Sequence, residues 1–274
     1  MKLSDAQRKR VQEDELQILI KFDEICRKFN LKYTLAAGTM IGAVRHKGFI
    51  PWDDDIDVYM LRNDFNKLRK IAPMELPENM FYQSHYTDPE YYYPFDKIQL
   101  DGTIFKETFL ANHNINHGVF IDVFPIDSIS NNKCKSTIQF YHYRFYRLGL
   151  MTKYVNIEAR SGKRKTLANI LRVLYLPFNL DYLYKKCETI AQQKESRYKN
   201  SKWVRNLNSV GSDGMKETYH HYAFTKLEFI EFEKNKFYIS KDYDAMLRAI
   251  YGNYMKLPPK SEQVTRHDLA ELKL

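Results

Sequence analysis

Asp53, Asp54, Asp55 and Asp57 place four carboxylates within five residues. Ionised together they repel one another strongly unless a cation lies among them. In an extended segment Asp53, Asp55 and Asp57 share one face, with Ile56 and Val58 on the other. A strand carrying acids on one face and apolar side chains on the other is half of a divalent-metal site. Upstream stands Gly38-Thr39, a glycine followed by a small hydroxyl residue. Downstream, Asp122 lies in Gly118–Phe124, flanked by apolar residues on both sides. Burying that carboxylate is costly, and a cation facing Asp55 and Asp57 removes the cost better than a cap or a buried arginine would.

The acid block admits several readings. An EF-hand shares Asp53-x-Asp55-x-Asp57 but needs Gly at its sixth position and Glu at its twelfth, where this chain has Val58 and Asp64. A sugar-nucleotide glycosyltransferase rests on an acid-x-acid tripeptide that is common by chance. A solvated acidic turn does not suit the apolar Ile56-Asp57-Val58-Tyr59-Met60. A nucleotidyltransferase-type site needs a Gly-hydroxyl turn between strand and helix, an acid-apolar-acid strand, and a third acid on a neighbouring strand. Gly38-Thr39, Asp55-Ile56-Asp57 and Asp122 supply them. Gly38 lets backbone amides approach a phosphate, and Thr39 offers a hydroxyl at a helix N-terminus. Asp55 and Asp57 hold Mg²⁺, while a second metal or Asp122 activates the attacking hydroxyl. Phosphoryl-type transfer asks for positioning and charge neutralisation more than covalent chemistry.

The elements that must position these groups are legible in outline. Val11, Ile18, Phe22, Cys26 and Phe29 recur at helical spacing, so a helix is predicted from about Ser4 to Asn30. Lys32–Ala37 reads as a strand ending at Gly38-Thr39, Met40–Arg45 as a short helix and Asp55–Met60 as the acid strand. Asn63 is the expected N-cap of a helix over Asp64–Ile71 that Pro73 closes. Strands are predicted at Met80–Ser84, Phe95–Leu100 and Gly118–Phe124, the last ended by Pro125. Helices follow over Thr137–Met151 and Asp181–Tyr198. Between them Arg160, Lys163, Arg164 and Lys165 lead into Leu167, Ile170, Leu171 and Leu174, an amphipathic stretch that Pro177 ends. Short strands near Phe224–Phe237 and a helix over Asp242–Ile250 complete the chain.

With 274 residues, 44% of them apolar, the chain can bury a substantial core. Cys26, Cys134 and Cys187 form neither a disulfide framework nor a metal-binding spacing, which suits a reducing, cytoplasmic setting. Neither a signal peptide nor a membrane-length apolar run is expected. The net charge of +9 suggests anionic partners, or a solvated basic surface. A basic flank beside an apolar stripe is also what an anionic membrane surface attracts.

The run from Ala37 to His46, followed by Gly48-Phe49-Ile50-Pro51-Trp52-Asp53-Asp54-Asp55-Ile56-Asp57-Val58, resembles the LicD family of bacterial phosphocholine transferases, relatives of the fukutin-type sugar-phosphate transferases. Lys97-Ile98, Ile121–Asp127, Phe232-Glu233 and Tyr251–Pro259 extend the resemblance over nearly the whole chain. It implies an α/β (α+β) fold with a nucleotidyltransferase-like mixed sheet carrying the acids and a helical second half. Residues 1–130 would be the catalytic core and 131–274 a mainly helical region completing the cleft, the two forming one compact unit. The implied reaction is Mg²⁺-dependent transfer of phosphocholine from CDP-choline to a hydroxyl of a cell-surface glycan precursor, such as teichoic acid or lipooligosaccharide. One or two Mg²⁺ ions, or Mn²⁺ in their place, would serve. The acceptor, lipid-linked in one version, would be met in the cytoplasm or at the inner membrane face. Ribitol or glycerol phosphate from its CDP form is the alternative donor group, and a choline- or nucleotide-binding module the non-enzymatic one. Nucleic acid is not an expected partner.

Within that resemblance Asp55 and Asp57 are metal ligands, Asp122 a third ligand or general base, and Asp53 a ligand of a second metal or a contact to the acceptor. Arg45 and Lys97 are candidates for the donor phosphates, and Trp52 for packing over a quaternary ammonium. Tyr91-Tyr92-Tyr93 could add to such a cage. His46 and His267 are proton-transfer candidates that fit structural roles better, and Lys216-Glu217 would border the acceptor cleft.

Overall fold

The computed structural model describes residues 1–156, 162–209, 214–265 and 267–274. Its first helix, α1 (Asp5–Lys28), starts where Ser4 and Gln7 cap each other reciprocally. β1 (Thr34–Leu35) is short and gives way at once to α2 (Ala37–His46), so Gly38-Thr39 forms the helix's first turn. β2 (Asp57–Leu61) runs straight into α3 (Arg62–Glu75). Because there is no loop, Leu61 occupies the N-cap and Asn63 is already helical. Pro73 does not close α3 as expected but lies inside its last turn, where its missing N–H leaves one helical carbonyl without its usual donor.

β3 (Met80–Gln83), β4 (Asp96–Leu100), β5 (Ile104–Glu107) and β6 (Val119–Ser128) follow. β6 is longer than expected and passes through Pro125. On one side it pairs with β4 only as far as Val123, and then with β7 (Trp203–Arg205) from Asp127 onward. Pro125 falls in the gap between these partners, where an absent donor is tolerated. The second half holds α4 (Lys133–Tyr154), α5 (Gly162–Leu174) and α6 (Leu180–Tyr198), then β8 (Thr218–His220), the hairpin β9 (Leu227–Phe232) and β10 (Asn235–Ser240), α7 (Tyr243–Tyr251) and β11 (Leu269–Lys273). Arg160 lies outside the described residues.

The main sheet runs β1-β2-β6-β4-β3, with β7 and β8 attached to β6. β2 and β6 are parallel and the other pairs antiparallel, so the predicted mixed α/β sheet is present. Its alternation decides the rest. Val58, Met60, Ile98, Ile121 and Val123 join Ile18, Phe22, Phe65 and Leu68 of α1 and α3 in the core. Asp96, on that same face, is buried and takes a two-pronged contact of 2.8 and 2.9 Å from Arg69 of α3. Arg62 grips Asp127 likewise at 2.7 and 3.0 Å, and Glu188 of α6 joins both arginines. Paired guanidinium-carboxylate forks satisfy what would otherwise be ruinous buried charges. α4 and α6 pack around a second cluster that includes Tyr143, Leu183 and Cys187. No helix among the described residues is long and apolar enough to cross a membrane.

Candidate active site

The face of the sheet opposite α1 and α3 carries a polar row. Asp57 of β2 pairs with Asp122 of β6, Asp122 with Lys97 of β4, and Lys97 with Gln83 of β3. In-register neighbours on adjacent strands share a face, so four distant stretches of sequence converge there. Lys97 Nζ lies 3.3 Å from both Asp122 Oδ1 and Glu107 Oε2, over the Phe120 ring. Lys97 thus neutralises acids inside the protein.

The acid block itself alternates as an extended segment should. Asp54, Ile56 and Val58 are buried, while Asp53, Asp55 and Asp57 are half-buried and open toward a cleft of about 570 Å³. Regular strand begins only at Asp57. The preceding residues are held by a turn, Asp53 N donating to Ile50 O at 2.9 Å, and by Gln12 Nε2 donating to Asp53 O at 2.8 Å. Glu233, at the β9–β10 turn, accepts from Phe49 N at 3.2 Å and steadies the loop leading in. Asp54 faces away and meets His267 Nδ1 at 3.2 Å.

α2 supplies the second wall. Its Thr39 hydroxyl accepts from Asp57 N at 2.8 Å, tying the helix to the start of β2. Its N-cap, Ala36, offers no side-chain acceptor, so the first-turn amides at the cleft are left to other partners. Gly38 lies so close to Asp53 that a Cβ would sit 2.6 Å from Oδ2. Arg45 reaches the cleft too, donating to the Tyr254 carbonyl at 2.6 Å and to His46 Nε2 at 2.9 Å. Desolvation and the neighbouring Arg45 charge lower the His46 pKa, which keeps the ring neutral.

The third wall comes from the end of the chain: Tyr251, Asn253, Tyr254, Lys256, Pro258 and Val264. The structure therefore gathers Gly38, Arg45, Trp52, Asp53, Asp55 and Asp57 around one cleft, while Thr39 and Lys97 are buried behind it and Asp122, half-buried beside Asp57, is not among its lining residues. Tyr91 is fully buried, packing on Tyr93 and Phe95, and is not part of the cleft lining. Glu217 is also buried, accepting from Tyr59 and Asn206. Sequence reasoning did not single out Glu15, Glu107, Tyr251 or Lys256. The Tyr251–Pro259 stretch was the nearest signal, through its place in the family resemblance.

Electrostatically the site has too many acids. Burial, then mutual repulsion, raises the pKa values of Asp53 and Asp57 well above the usual carboxylate range. Burial likewise raises Asp55, against the pull of His267, and pushes Asp122 up to about 6 despite Lys97. Glu15 of α1, fully buried behind the block, is raised by burial and by four aspartates. Burial opposes a charged ring at His267, yet Asp54, Asp55 and Glu107 outweigh it and push its pKa up to about 10. Glu15 Oε2 is buried with no hydrogen-bond partner among the described residues, while Asp54 Oδ1 and Asp122 Oδ1 face the His267 ring and the Lys97 ammonium at 3.2 and 3.3 Å.

This donor set fits a hard divalent cation in chemistry and charge. No group of three or more His, Cys, Asp or Glu among the described residues forms a ready-made metal cage. Mg²⁺ is commonly held by one or two carboxylates together with substrate phosphates, which suits an open wall of aspartates better than a closed cage.

Comparison with known proteins bears on this site. Residues 30–149, which include Gly38, the acid block, Lys97 and Asp122, match the family described as LicD/FKTN/FKRP, nucleotidyltransferase domain. The chain is 28% identical over 266 residues to the lipopolysaccharide cholinephosphotransferase LicD of Haemophilus influenzae, covering 92% of each protein. Shorter stretches match uncharacterized proteins of Rickettsia typhi, at 40% over 77 residues, and Rickettsia prowazekii, at 42% over 57 residues. These cover 26% and 21% of this chain, and 25% and 21% of those proteins.

Proposed function

We propose, from the match of residues 30–149 to the LicD/FKTN/FKRP nucleotidyltransferase domain and the full-length likeness to a cholinephosphotransferase, that this chain is a phosphotransferase of the LicD family that transfers phosphocholine from CDP-choline to a hydroxyl of a cell-surface glycan, lipopolysaccharide or teichoic acid. The observation that carries this reading is the cleft in which Asp53, Asp55 and Asp57 face the uncapped start of α2 and the aromatic side chains Trp52 and Tyr251.

Each part has a physical task. The first-turn amides of α2, with Arg45 and Lys256, bind the donor diphosphate. Trp52 and Tyr251 offer aromatic faces to the trimethylammonium group. Asp55 and Asp57 would hold Mg²⁺, with Asp53 or Asp122 completing its shell. When bound, the ion neutralises phosphate oxygens and lowers the cost of crowding these acids. Asp122, with a pKa near 6, accepts the proton of the attacking sugar hydroxyl. A new bond forms between that oxygen and the choline-bearing phosphorus, the bond to the bridging oxygen breaks, and CMP leaves with the electron pair. Lys97 holds Asp122 in place. We assign the enzyme to the cytoplasm, where its three unpaired cysteines would stay reduced.

The test is CMP release with CDP-choline, CDP-glycerol and CDP-ribitol, each with a lipopolysaccharide or teichoic-acid acceptor. Turnover of CDP-choline alone is the expected result. Preference for another donor would replace choline, and turnover of none would overturn the transferase reading.

A further inference from the structure

The chain's net charge of +9 is not spread evenly. Residues 131–180 contain ten Lys and Arg and a single acid, Glu158. That local excess equals the excess of the whole protein, so the remainder is neutral in sum. Nine of those bases lie on α4 and α5, Arg147 among them with a buried Nε, while Glu158 and Arg160 lie outside the described residues.

Both helices turn apolar side chains outward. On α4, Ile138, Tyr141, Phe145 and Leu148 recur at helical spacing and are all exposed. On α5, Leu167, Ile170 and Leu174 are 57%, 62% and 60% exposed, whereas Ala168 is fully buried. The two stripes lie on helices packed against each other: Phe145 meets the buried Tyr175 ring at 5.3 Å, and Arg172 Nε donates to Thr152 O at 3.2 Å. Exposed apolar side chains this concentrated on an amphipathic surface mark an interaction site.

Charge chooses the partner. A second copy would bring an equal positive excess against the first. Nucleic acid would answer the charge but leave the aliphatic α5 stripe in water. An anionic bilayer answers both, taking apolar side chains at the acyl boundary and lysines among the headgroups. We infer that α4 and α5 form a docking face for an anionic lipid surface, on which the protein lies without spanning it. This face is independent of the transfer reaction, and its test uses no substrate.

Flotation of the full-length protein with vesicles provides that test. Vesicles containing roughly one-third phosphatidylglycerol in phosphatidylcholine should carry the protein. Binding should fall at least about tenfold between roughly 0.1 and 0.5 M salt, as screening predicts. The triple variant Leu167→Glu, Ile170→Glu, Leu174→Glu should lose binding while its melting temperature stays put, since all three side chains are exposed. Should that variant fail to fold, Ile138→Gln, Tyr141→Gln, Phe145→Gln on α4 provides the same readout. Absence of wild-type flotation, or undiminished flotation of a folded variant, would overturn the inference. So would a wild-type dimer in sedimentation that either variant disperses, which would give the face to a second copy.

Discussion

Asp57 and Asp122 stand directly opposite each other across the parallel β2–β6 pair, and Lys97 stands opposite Asp122 on the far side. The row places two mutually repelling carboxylates beside a buried ammonium, so the folded protein carries an electrostatic cost that a bound cation would relieve.

Replacing Asp57 with Asn should therefore separate stability from activity. Transfer should fall by more than the roughly 10–100-fold that follows loss of an outer-shell partner of a metal ligand. The melting temperature should hold or rise, because one repelling charge is gone. Calorimetry and CMP release check the two halves, and persistent CMP release would remove Asp57 from the metal site.

Mg²⁺ should stabilise the wild-type protein without substrate. At a hundred times its dissociation constant an ion adds about 2.7 kcal/mol. The double variant Asp55→Asn, Asp57→Asn should show no such shift in a thermal melt. An equal shift in both proteins would place the ion elsewhere.

His267 predicts a pH dependence. Its folded pKa of about 10 lies above the ordinary imidazole value of about 6.5, so between them the folded state holds a proton that the unfolded state releases. The stability it contributes is complete below about pH 6.5 and is lost as pH rises toward 10. His267→Gln should flatten that decline in urea unfolding measured across this range. An unchanged slope would assign the decline to other groups.

Two glycines of α2 should respond differently to alanine. At Gly42 a Cβ would lie 2.4 Å from the Gly48 carbonyl oxygen, a backbone atom, so Gly42→Ala should cost about 1–3 kcal/mol of stability. At Gly38 the atom met is the tip of the Asp53 side chain, which can swing aside. Gly38→Ala should spare stability and impair transfer by displacing Asp53. Equal losses of stability would refute the distinction.

The Arg62–Asp127 fork lies outside the cleft and tests the scaffold. Asp127→Ala leaves a fully buried guanidinium whose remaining carboxylate contact among the described residues is the longer one, 3.8 Å to Glu188, and should cost about 3–5 kcal/mol. Turnover per folded molecule should be unchanged. Chemical denaturation read beside active-site titration decides this.

Much of the fold was readable because its signals are local. The α1 period and the alternation of Asp53, Asp55 and Asp57 depend on near neighbours alone. Expectations failed where tertiary pairing overrode a local rule. Pro125 continues β6 because no partner requires its N–H, and Asn63 is helical because β2 enters α3 without a loop. Lys97 illustrates the same limit in the site: nothing local in the sequence shows that strand pairing sets it opposite Asp122, at 3.3 Å.

The sequence by itself determined the chemistry on offer, an acid block behind a Gly-Thr turn, and the family that such a block implies. Only the tertiary structure decided which groups meet. It set Asp122 beside Asp57, turned Thr39 to a backbone amide, placed His267 on Asp54, and brought Tyr251 and Lys256 from the far end of the chain to wall the cleft. The period of a strand tells which side chains share a face, but not which other strand will lie beside it. That choice belongs to the packing of the whole core.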